Sequence, residues 1–294
     1  MRLLHESEVR SLLQRYGVKP SRDKGQIFLT SESIARAIVA SASIAKEETV
    51  LEIGGGLGIL SEALSNAAGH LYIIEIEEGL VRALRDRLQG HGNVTILHQD
   101  ALVAEIPSVD KVVSNLPYSA ASEITFRLLE ICPFELAVMM YQKEFASRLL
   151  AQPGTQEYSR LSVDFQYIAV AENIMDVKAT EFFPVPQVDS SVLAIKRRTT
   201  GAFAKSPAHF FWMVNGLYSY PNKQLRRALQ IWLKLLGKAD LTDALLGALP
   251  DTLHGALRLR SLSTEQLVVL ANVITDFVDE EKLTGPRRDE YHPL

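Results

Sequence analysis

Short apolar runs alternate with amphipathic stretches over the first two thirds of the chain. Five runs predict strands, at Thr49–Ile53, His70–Glu75, Val94–Leu97, Lys111–Ser114 and Leu136–Met140. Apolar residues three or four positions apart predict helices between them, at Ile59–Ala68, Glu78–Leu88 and Ser122–Ile131. Strands that alternate with helices predict an α/β domain built on a largely parallel sheet.

Two more strands are predicted at Ile168–Val177 and Val188–Arg197. The proline-rich link between them is too short for a crossover helix, so they are expected to close the sheet as an antiparallel pair. From about Ala202 the pattern becomes helical, with helices predicted at Ala208–Leu217, Lys223–Leu236, Asp240–Leu249 and Thr264–Asp279, the last capped by Ser263. We therefore expect an α/β domain at 1–200 and a smaller all-helical domain at 201–294.

Composition excludes several classes of protein. With 47% hydrophobic and 22% charged residues among 294, the chain is neither disordered nor collagen-like. A single cysteine, Cys132, cannot form an intramolecular disulfide. Charges interrupt the N-terminus before a signal-peptide core could form, and no uncharged apolar run reaches about 18 residues. These features predict a cytoplasmic protein without a membrane span.

The net charge of −4 seems to argue against a nucleic-acid partner, but the charges are segregated. Residues 196–238 contain nine Lys or Arg and no Asp or Glu, interleaved with Phe, Tyr and Trp. Such a segment could bind a polyanion, with cations on phosphates and aromatic rings stacked on bases. It could equally be a solvated helix face over an aromatic core, and the sequence leaves both readings open.

Candidate ligand-binding residues follow three successive predicted strands. Gly54, Gly56 and Gly58 come directly after the first strand, where glycines let the backbone turn tightly and approach a ligand. Glu75 ends the next strand and could accept the hydroxyls of a ribose, and Asp100 follows the third and could bind an adenine amine. Each could alone be a structural turn or a solvated strand end, but ligands of open α/β sheets bind along this edge.

The segment Asn115-Leu116-Pro117-Tyr118 ends the fourth strand. Acceptor oxygens on both N–H groups of a planar exocyclic amine would favour its nucleophilic form, while an aromatic ring fixes the base plane. Asn115 would be the acceptor and Tyr118 the stacking ring. Phe182, on the proline-rich loop, could stack on the other face of a flipped-out base. The alternatives are a tight turn at Tyr118 and a hydrophobic lid at Phe183.

Together these residues closely resemble the ribosomal RNA adenine N6-dimethyltransferase family. The resemblance covers nearly the whole chain and includes Lys24–Leu29, Leu51–Gly58, Asn115–Tyr118, Tyr141–Arg148, Tyr158–Val163 and Leu259–Ser263. It implies a Rossmann-like class I methyltransferase sheet with a smaller C-terminal helical domain. It also implies methyl transfer from S-adenosylmethionine to adenines in a small-subunit rRNA hairpin during ribosome biogenesis.

The resemblance also implies roles for individual residues. The catalytic set would be Asn115, Leu116, Pro117, Tyr118 and Phe182. The cofactor contacts would be Gln26, Ile27, Leu29, Gly54, Gly56, Glu75, Ile76, Asp100, Ala101 and Asn115. The RNA contacts would be Lys24, Lys196, Arg197, Arg198, Lys223, Arg226 and Arg227. Ile27 stands where the family commonly has a polar Asn or His, so a cofactor contact there would come from the backbone.

The expected partners are small-subunit rRNA and the pre-small ribosomal subunit, bound by a monomer. The seven histidines and Cys132 show no metal-ligand spacing, and methyl transfer from a sulfonium requires no metal. Two alternatives remain open at this stage. One is a methyltransferase acting on another planar amine or amide, and the other is a non-catalytic ribosome-assembly or nucleic-acid-binding factor with the same fold.

Overall fold

A computed structural model describes residues 5–20 and 26–287. The chain divides into two compact units. The sheet unit comprises the described part of Met1–Ala146 together with Val170–Arg197, and the helical unit comprises Ser147–Ala169 together with the described part of Arg198–Leu294. The sequence placed the division at 200/201 and did not anticipate that residues 147–169 belong with the C-terminal unit.

The helices and strands follow one another along the chain in this order: α1 (Glu6–Arg15), β1 (Phe28–Leu29), α2 (Glu32–Ser41), β2 (Thr49–Ile53), α3 (Ile59–Ala67), β3 (His70–Glu75), α4 (Glu78–Arg87), β4 (Val94–His98), β5 (Lys111–Asn115), α5 (Ala121–Ile131), β6 (Leu136–Gln142), α6 (Lys143–Leu149), α7 (Arg160–Ile168), β7 (Ala169–Val177), β8 (Phe182–Phe183), β9 (Ser190–Arg197), α8 (Pro207–Leu217), α9 (Leu225–Leu235), α10 (Thr242–Gly247) and α11 (Thr264–Asp279).

The sheet unit is built on a seven-stranded sheet with the order β4-β3-β2-β5-β6-β9-β7. The first five strands in this order run parallel, and β9 lies antiparallel to β6. The predicted largely parallel α/β sheet is therefore confirmed. From β2, the chain adds β3 and β4 on one side of the sheet and then β5 and β6 on the other side. At such a switch point between β2 and β5, a crevice opens beyond the carboxyl ends of the strands.

Burial explains why the strands could be recognised in the sequence. Nearly every residue of β2, β5 and β6 is buried, as expected for central strands covered on both faces. The two-residue strands β1 and β8 form a separate antiparallel pair, with Phe28 opposite Phe183 and Leu29 opposite Phe182. Their pairing joins positions about 150 residues apart, so local periodicity could not predict it.

The helical unit has an aromatic core of its own. Tyr167 of α7 stacks on Phe210 of α8 at 3.9 Å between ring centroids, and Trp212 packs edge-on against Trp232 of α9 at 4.8 Å. Of the aromatic residues in the basic segment that the sequence singled out, Phe203 is exposed, whereas Phe210, Phe211, Trp212, Tyr218 and Trp232 are buried. For these buried rings, the correct reading is the aromatic core and not a base-stacking face.

The last helix begins as the sequence predicts. The Ser263 hydroxyl accepts a hydrogen bond from the Gln266 N–H at 3.3 Å, and the Gln266 side chain accepts the Ser263 N–H at 3.0 Å. This reciprocal pair satisfies two of the backbone donors that a helix leaves unpaired at its start. The predicted helix at Asp240–Leu249 is shorter in the structure, where α10 covers only Thr242–Gly247.

Candidate active site

A cavity of about 420 Å³ lies at the carboxyl ends of the central strands of the sheet unit. Its walls come from the segment around β1 and from the residues at the ends of β2, β3, β4 and β5. Five continuous stretches of the chain line the cavity with every residue, namely 26–29, 52–57, 74–77, 99–102 and 115–117. All ten residues predicted to contact the cofactor line this one cavity, although the sequence spreads them over 90 positions.

The glycine loop after β2 turns back on itself at the cavity. Gly54, Gly56 and Gly58 have φ angles of 75°, 56° and 81°, in the left-handed region that residues with a Cβ rarely adopt. A Cβ at Gly56 would also lie 3.3 Å from the ring of Phe28. The loop therefore forms this part of the cavity wall with backbone atoms, and a side chain at Gly56 would occupy the space next to Phe28.

Glu75 lies at the end of β3 and fixes this loop. Its carboxylate accepts the Gly56 N–H at 3.1 Å and the Glu77 N–H at 3.0 Å, one bond on each oxygen. The side chain is only 5% exposed, and burial raises the pKa of Glu75 above its usual value, although the backbone hydrogen bonds oppose that rise. A carboxylate in this place can accept hydroxyl hydrogens from a sugar in the cavity.

The far end of the cavity combines an apolar surface with an acid. Ile76 is 61% exposed although it is a large apolar residue, and it lines the cavity beside Ala101. The Asp100 carboxylate accepts the Leu102 N–H at 2.8 Å, and Arg127 donates to the carbonyls of Ala101 and Ala104 at 3.1 and 2.7 Å. Such a surface suits a flat ring with an exocyclic amine, because the ring would pack on Ile76 and the amine would donate to Asp100.

Asn115 ends β5 and presents an unused acceptor. Its Nδ2 donates to the Ile27 carbonyl at 3.4 Å, which orients the amide. Its Oδ1 is buried and has no hydrogen-bond partner among the described residues, which is rare for a buried side-chain oxygen. The Ile27 backbone thus contributes to the site in a way that does not depend on the side chain at that position.

Leu116 and Pro117 carry the chain from Asn115 to Tyr118. Leu116 is 2% exposed, and Pro117 lies beside the glycine loop, 3.6 Å from where a Gly54 Cβ would be. Tyr118 begins a 3₁₀ turn, Tyr118–Ala120, and its ring is half-buried. Its hydroxyl lies 2.5 Å from the Ser190 hydroxyl, and burial raises the pKa of Tyr118 above 10, so the hydroxyl remains protonated at neutral pH.

Phe182 is the one predicted catalytic residue outside the Asn115–Tyr118 segment. It forms β8 with Phe183, is 2% exposed and packs in the core of the sheet unit together with Leu29. Neither Phe182 nor Tyr118 lines the cavity itself. Stacking of a base on Phe182 stays a prediction, and it would require the ring to become uncovered when RNA binds.

Glu52 belongs to the cavity wall and was not recognised from the sequence. It lies in β2, is 1% exposed, and its Oε2 has no hydrogen-bond partner among the described residues. Burial raises the pKa of Glu52 to about 8, because its effect exceeds the lowering effect of the Ser61 hydroxyl, and the nearby Glu75 charge adds a smaller increase. An acidic residue within an otherwise apolar strand was the only signal in the sequence.

The buried acid predicts a pH dependence of stability for the empty chain. Because the pKa of Glu52 is raised on folding, the folded chain retains a proton that the unfolded chain loses, and the unfolding free energy falls as the pH rises from about 4.5 to about 8. The decrease should reach roughly 4 kcal/mol, at about 1.4 kcal/mol per pKa unit. Denaturant unfolding at pH 5, 6.5 and 8 measures it, and Glu52→Gln should remove most of it.

The exposed Glu47 on the loop before β2 provides a control for this experiment. Glu47→Gln removes the same charge from the surface and should leave the pH dependence as in the native chain. Equal pH dependence in the native chain and in Glu52→Gln would contradict a protonated Glu52.

The predicted RNA contacts divide into two groups. Lys196, Lys223, Arg226 and Arg227 are exposed, with Arg226 paired to Asp243 and Arg227 bonded to Gln230 at 2.6 Å. Arg197 instead donates to main-chain carbonyls at the end of α5, among them Cys132 at 2.8 Å, and Arg198 donates to those of Tyr167 and Ala202 at 3.3 and 2.8 Å. Lys24 lies outside the described residues.

Two searches of the described residues gave negative results. Within 5–20 and 26–287, no three side chains of His, Cys, Asp or Glu are grouped so that they could hold a metal ion. Over the same ranges, no helix has both the length and the apolar character needed to cross a membrane.

Residues 18–245 match the family described as ribosomal RNA adenine dimethylase. Among curated proteins, the chain is 40% identical over 270 residues to a probable ribosomal RNA small subunit methyltransferase A from Methanosarcina barkeri, covering 92% of this chain and 93% of that protein. It is 39% identical over 271 residues to the protein of the same name from Methanothermobacter thermautotrophicus, covering 92% and 96%.

Solved structures give the same fold. A dimethyladenosine transferase from Plasmodium falciparum superimposes with a TM-score of 0.76 at 24% identity, covering 87% of this chain and 98% of that one. The 23S rRNA methyltransferase ErmE superimposes with a TM-score of 0.64 at 27% identity, covering 84% and 99%. Both similarities extend over most of the chain, and a class I methyltransferase sheet with a helical C-terminal part is the fold they share.

Proposed function

Because the chain belongs to the ribosomal RNA adenine dimethylase family, we propose that it methylates N6 of adenines in small-subunit rRNA, with S-adenosylmethionine as the methyl donor. The observation that carries this proposal is the buried Oδ1 of Asn115, which has no hydrogen-bond partner among the described residues, in the wall of a cavity that also presents Glu75 and Asp100. The names of the curated relatives support small-subunit rRNA as the substrate.

The residues of the cavity fit the proposed donor. Glu75 would accept the ribose hydroxyls, while Asp100 would bind the adenine amine above the apolar surface of Ile76. The glycine loop would face the methionine end with its backbone, because a Cβ at Gly56 would lie 3.3 Å from the ring of Phe28 and occupy that space. When bound, S-adenosylmethionine supplies a methyl group activated by the positive charge on its sulfur.

The chain's own residues would position the target amine. Asn115 Oδ1 would accept one N–H of the adenine amine, and a backbone carbonyl of the Asn115–Tyr118 segment would accept the other. These bonds favour a pyramidal nitrogen whose lone pair is available to the methyl group. With the donor's sulfonium as the leaving group, an amine held in this way would accept the methyl group and pass its extra proton to water, so the residues of the site need not include a strong base.

A methyl-transfer assay tests the proposal. The chain is incubated with S-adenosylmethionine labelled in its methyl group and with unmethylated small ribosomal subunits, and the rRNA is digested to nucleosides. Label in N6-methylated adenosine is the expected result. Label in a DNA adenine or a protein amide would instead support a methyltransferase of another substrate class. Absence of both incorporation and cofactor binding by calorimetry would support a non-catalytic assembly factor.

The exposed cations at the start of α9 are the part of the predicted RNA surface that the proposal retains. Lys223, Arg226 and Arg227 lie within five positions of one another, and their side chains point to solvent. The Arg226 pair with Asp243 is exposed, so it is weak and can be exchanged for a phosphate contact. Arg197 and Arg198 are left out because main-chain carbonyls already occupy their guanidinium groups.

Replacing Lys223, Arg226 and Arg227 together by Glu should weaken RNA binding and flatten its dependence on salt. Each lost phosphate contact lowers the slope of log Kd against log salt by about 0.7 to 0.9, so a change of about two to three is expected from the three positions. Fluorescence anisotropy of a labelled small-subunit rRNA fragment between 50 and 300 mM KCl measures the slope. Lys282→Glu, an exposed lysine of the same unit paired with Glu280, is the control. A slope equal to that of the native chain would place the RNA surface elsewhere.

The cytoplasmic location, the monomeric state and the pre-small-subunit partner expected from the sequence stay predictions.

A further inference from the structure

The hydroxyl at the end of the Tyr118 side chain forms a hydrogen bond with strand β9. This hydroxyl lies 2.5 Å from the hydroxyl of Ser190, the first residue of β9. Ser190 has no solvent exposure, whereas the Tyr118 ring is half-buried. The two residues are 72 positions apart in the chain, and both belong to the sheet unit.

The backbone at Ser190 is fixed from both sides. Ser190 is paired with Gln142 in the ladder between β9 and β6. The preceding residue, Asp189, accepts the Lys143 N–H on its carbonyl at 2.9 Å. Its carboxylate accepts the Ala179 N–H and a Lys178 Nζ hydrogen, each at 2.9 Å. The Ser190 hydroxyl is therefore presented from a rigid support.

We propose that Ser190 is a positioning residue for base stacking, because it fixes the orientation of the Tyr118 ring through the hydroxyl. A tyrosine ring turns about two side-chain torsions, and a hydrogen bond at the end remote from the backbone restrains both at once. Stacking on a flipped-out adenine requires one ring plane, and small displacements of a positioning group cost up to about a hundredfold in rate. The inference rests on the proposed function, since it assigns Ser190 to the reaction through Tyr118.

The neighbouring residue provides a matched control. Ser191 is also buried, at 3% exposure, but adjacent side chains of a strand point to opposite faces. Its hydroxyl donates to Asp176 at 2.7 Å and not to Tyr118. Truncating Ser190 or Ser191 removes the same atom from adjacent buried positions, and only the first truncation frees the Tyr118 ring.

A double-mutant cycle tests the inference with unmethylated small ribosomal subunits and labelled S-adenosylmethionine. Ser190→Ala and Tyr118→Phe are each expected to lower kcat about 10-fold, with the cofactor Kd from calorimetry within twofold of native. The double variant should lose no more than either single variant, because both changes break the same contact. Ser190→Thr keeps a hydroxyl and should restore kcat to within about threefold of native, and Ser191→Ala should leave kcat within twofold.

Two results would overturn the inference. One is a kcat for Ser190→Ala within twofold of the native value, and the other is a double variant whose loss is the product of the single losses. An unchanged cofactor Kd shows that a variant is folded. If Ser190→Ala fails to bind cofactor, Tyr118→Phe, which removes the same hydrogen bond from the other side, takes its place, and a kcat for Tyr118→Phe within twofold of native then overturns the inference. A native chain that transfers no methyl group would refute the proposed function itself. An active native chain whose kcat does not change when Ser190 is replaced would refute only the inference about Ser190, so the two failures can be told apart.

Discussion

Asn115→Ala should lower kcat for methyl transfer about 10³-fold while leaving the cofactor Kd within about threefold. The variant removes the buried Oδ1 that would accept the target amine, and interactions of this kind with a reacting group are worth 10² to 10³ in rate. The cofactor retains Glu75, Asp100 and the glycine loop, which lie on other strands. The loss therefore belongs to the transition state and not to donor binding.

Single-turnover methyl transfer at saturating cofactor measures the first quantity, and titration calorimetry measures the second. Asn66→Ala is the matched control, because Asn66 is an exposed asparagine on α3 whose side-chain amide donates to the carbonyl of Glu62, away from the cavity lining. It should leave both quantities unchanged. If Asn115→Ala lost cofactor affinity in proportion to its loss of rate, Asn115 would be a cofactor ligand and not the acceptor of the target amine.

Glu75→Ala should show the reverse behaviour, with a cofactor Kd raised about 100-fold. The variant removes the expected ribose acceptor and also leaves the Gly56 and Glu77 N–H groups without their partner. Hydrogen bonds to a charged group contribute about 1.5 to 3 kcal/mol each, so losing one or two accounts for a factor of this size. Once cofactor is saturating, kcat should fall less than 10-fold.

Calorimetry with S-adenosylmethionine measures the affinity of Glu75→Ala for the cofactor. The control is Glu78, an exposed acid on the first turn of α4 that is paired with Arg82. Glu78→Ala should bind cofactor as the native chain does. A Glu75→Ala chain with native affinity would remove Glu75 from the cofactor site. Together, Asn115→Ala and Glu75→Ala separate target binding from donor binding by opposite effects on kcat and Kd.

The sequence predicted the features that depend on local pattern. The central strands were recognisable because they are buried on both faces, and the cavity was recognisable because Gly54, Glu75, Asp100 and Asn115 each lie at or just after the end of a predicted strand. The carboxyl ends of parallel strands meet at one edge, so residues far apart in sequence come together by topology alone.

Features that depend on a distant partner could not be predicted. A count of basic residues does not reveal that Arg197 and Arg198 are occupied by main-chain carbonyls. The contact between Tyr118 and Ser190 joins a 3₁₀ turn to a strand 72 positions away, and no local pattern links the two. Helix α7 belongs to the helical unit because Tyr167 stacks on Phe210, and the sequence gives no sign of which helices pack together.

Glu52 illustrates a different limit. Its position in an apolar strand is visible in the sequence, but its protonation depends on how completely β2 is covered. The fold leaves it 1% exposed, near a second buried acid, Glu75. Only the packed structure therefore identifies it as a protonated group in the cavity wall.

The buried rings of the helical unit limit how α9 could read an RNA. Trp212, Trp232 and Phe210 are in the core and cannot insert between bases beside the exposed cations near α9, although Tyr220 of the same segment is half-buried and Phe203 is exposed. Cations on phosphates respond to charge and spacing, and they are largely indifferent to base identity. An RNA bound at this surface would be selected by its backbone shape, and the choice among its adenines would be left to the cavity of the sheet unit.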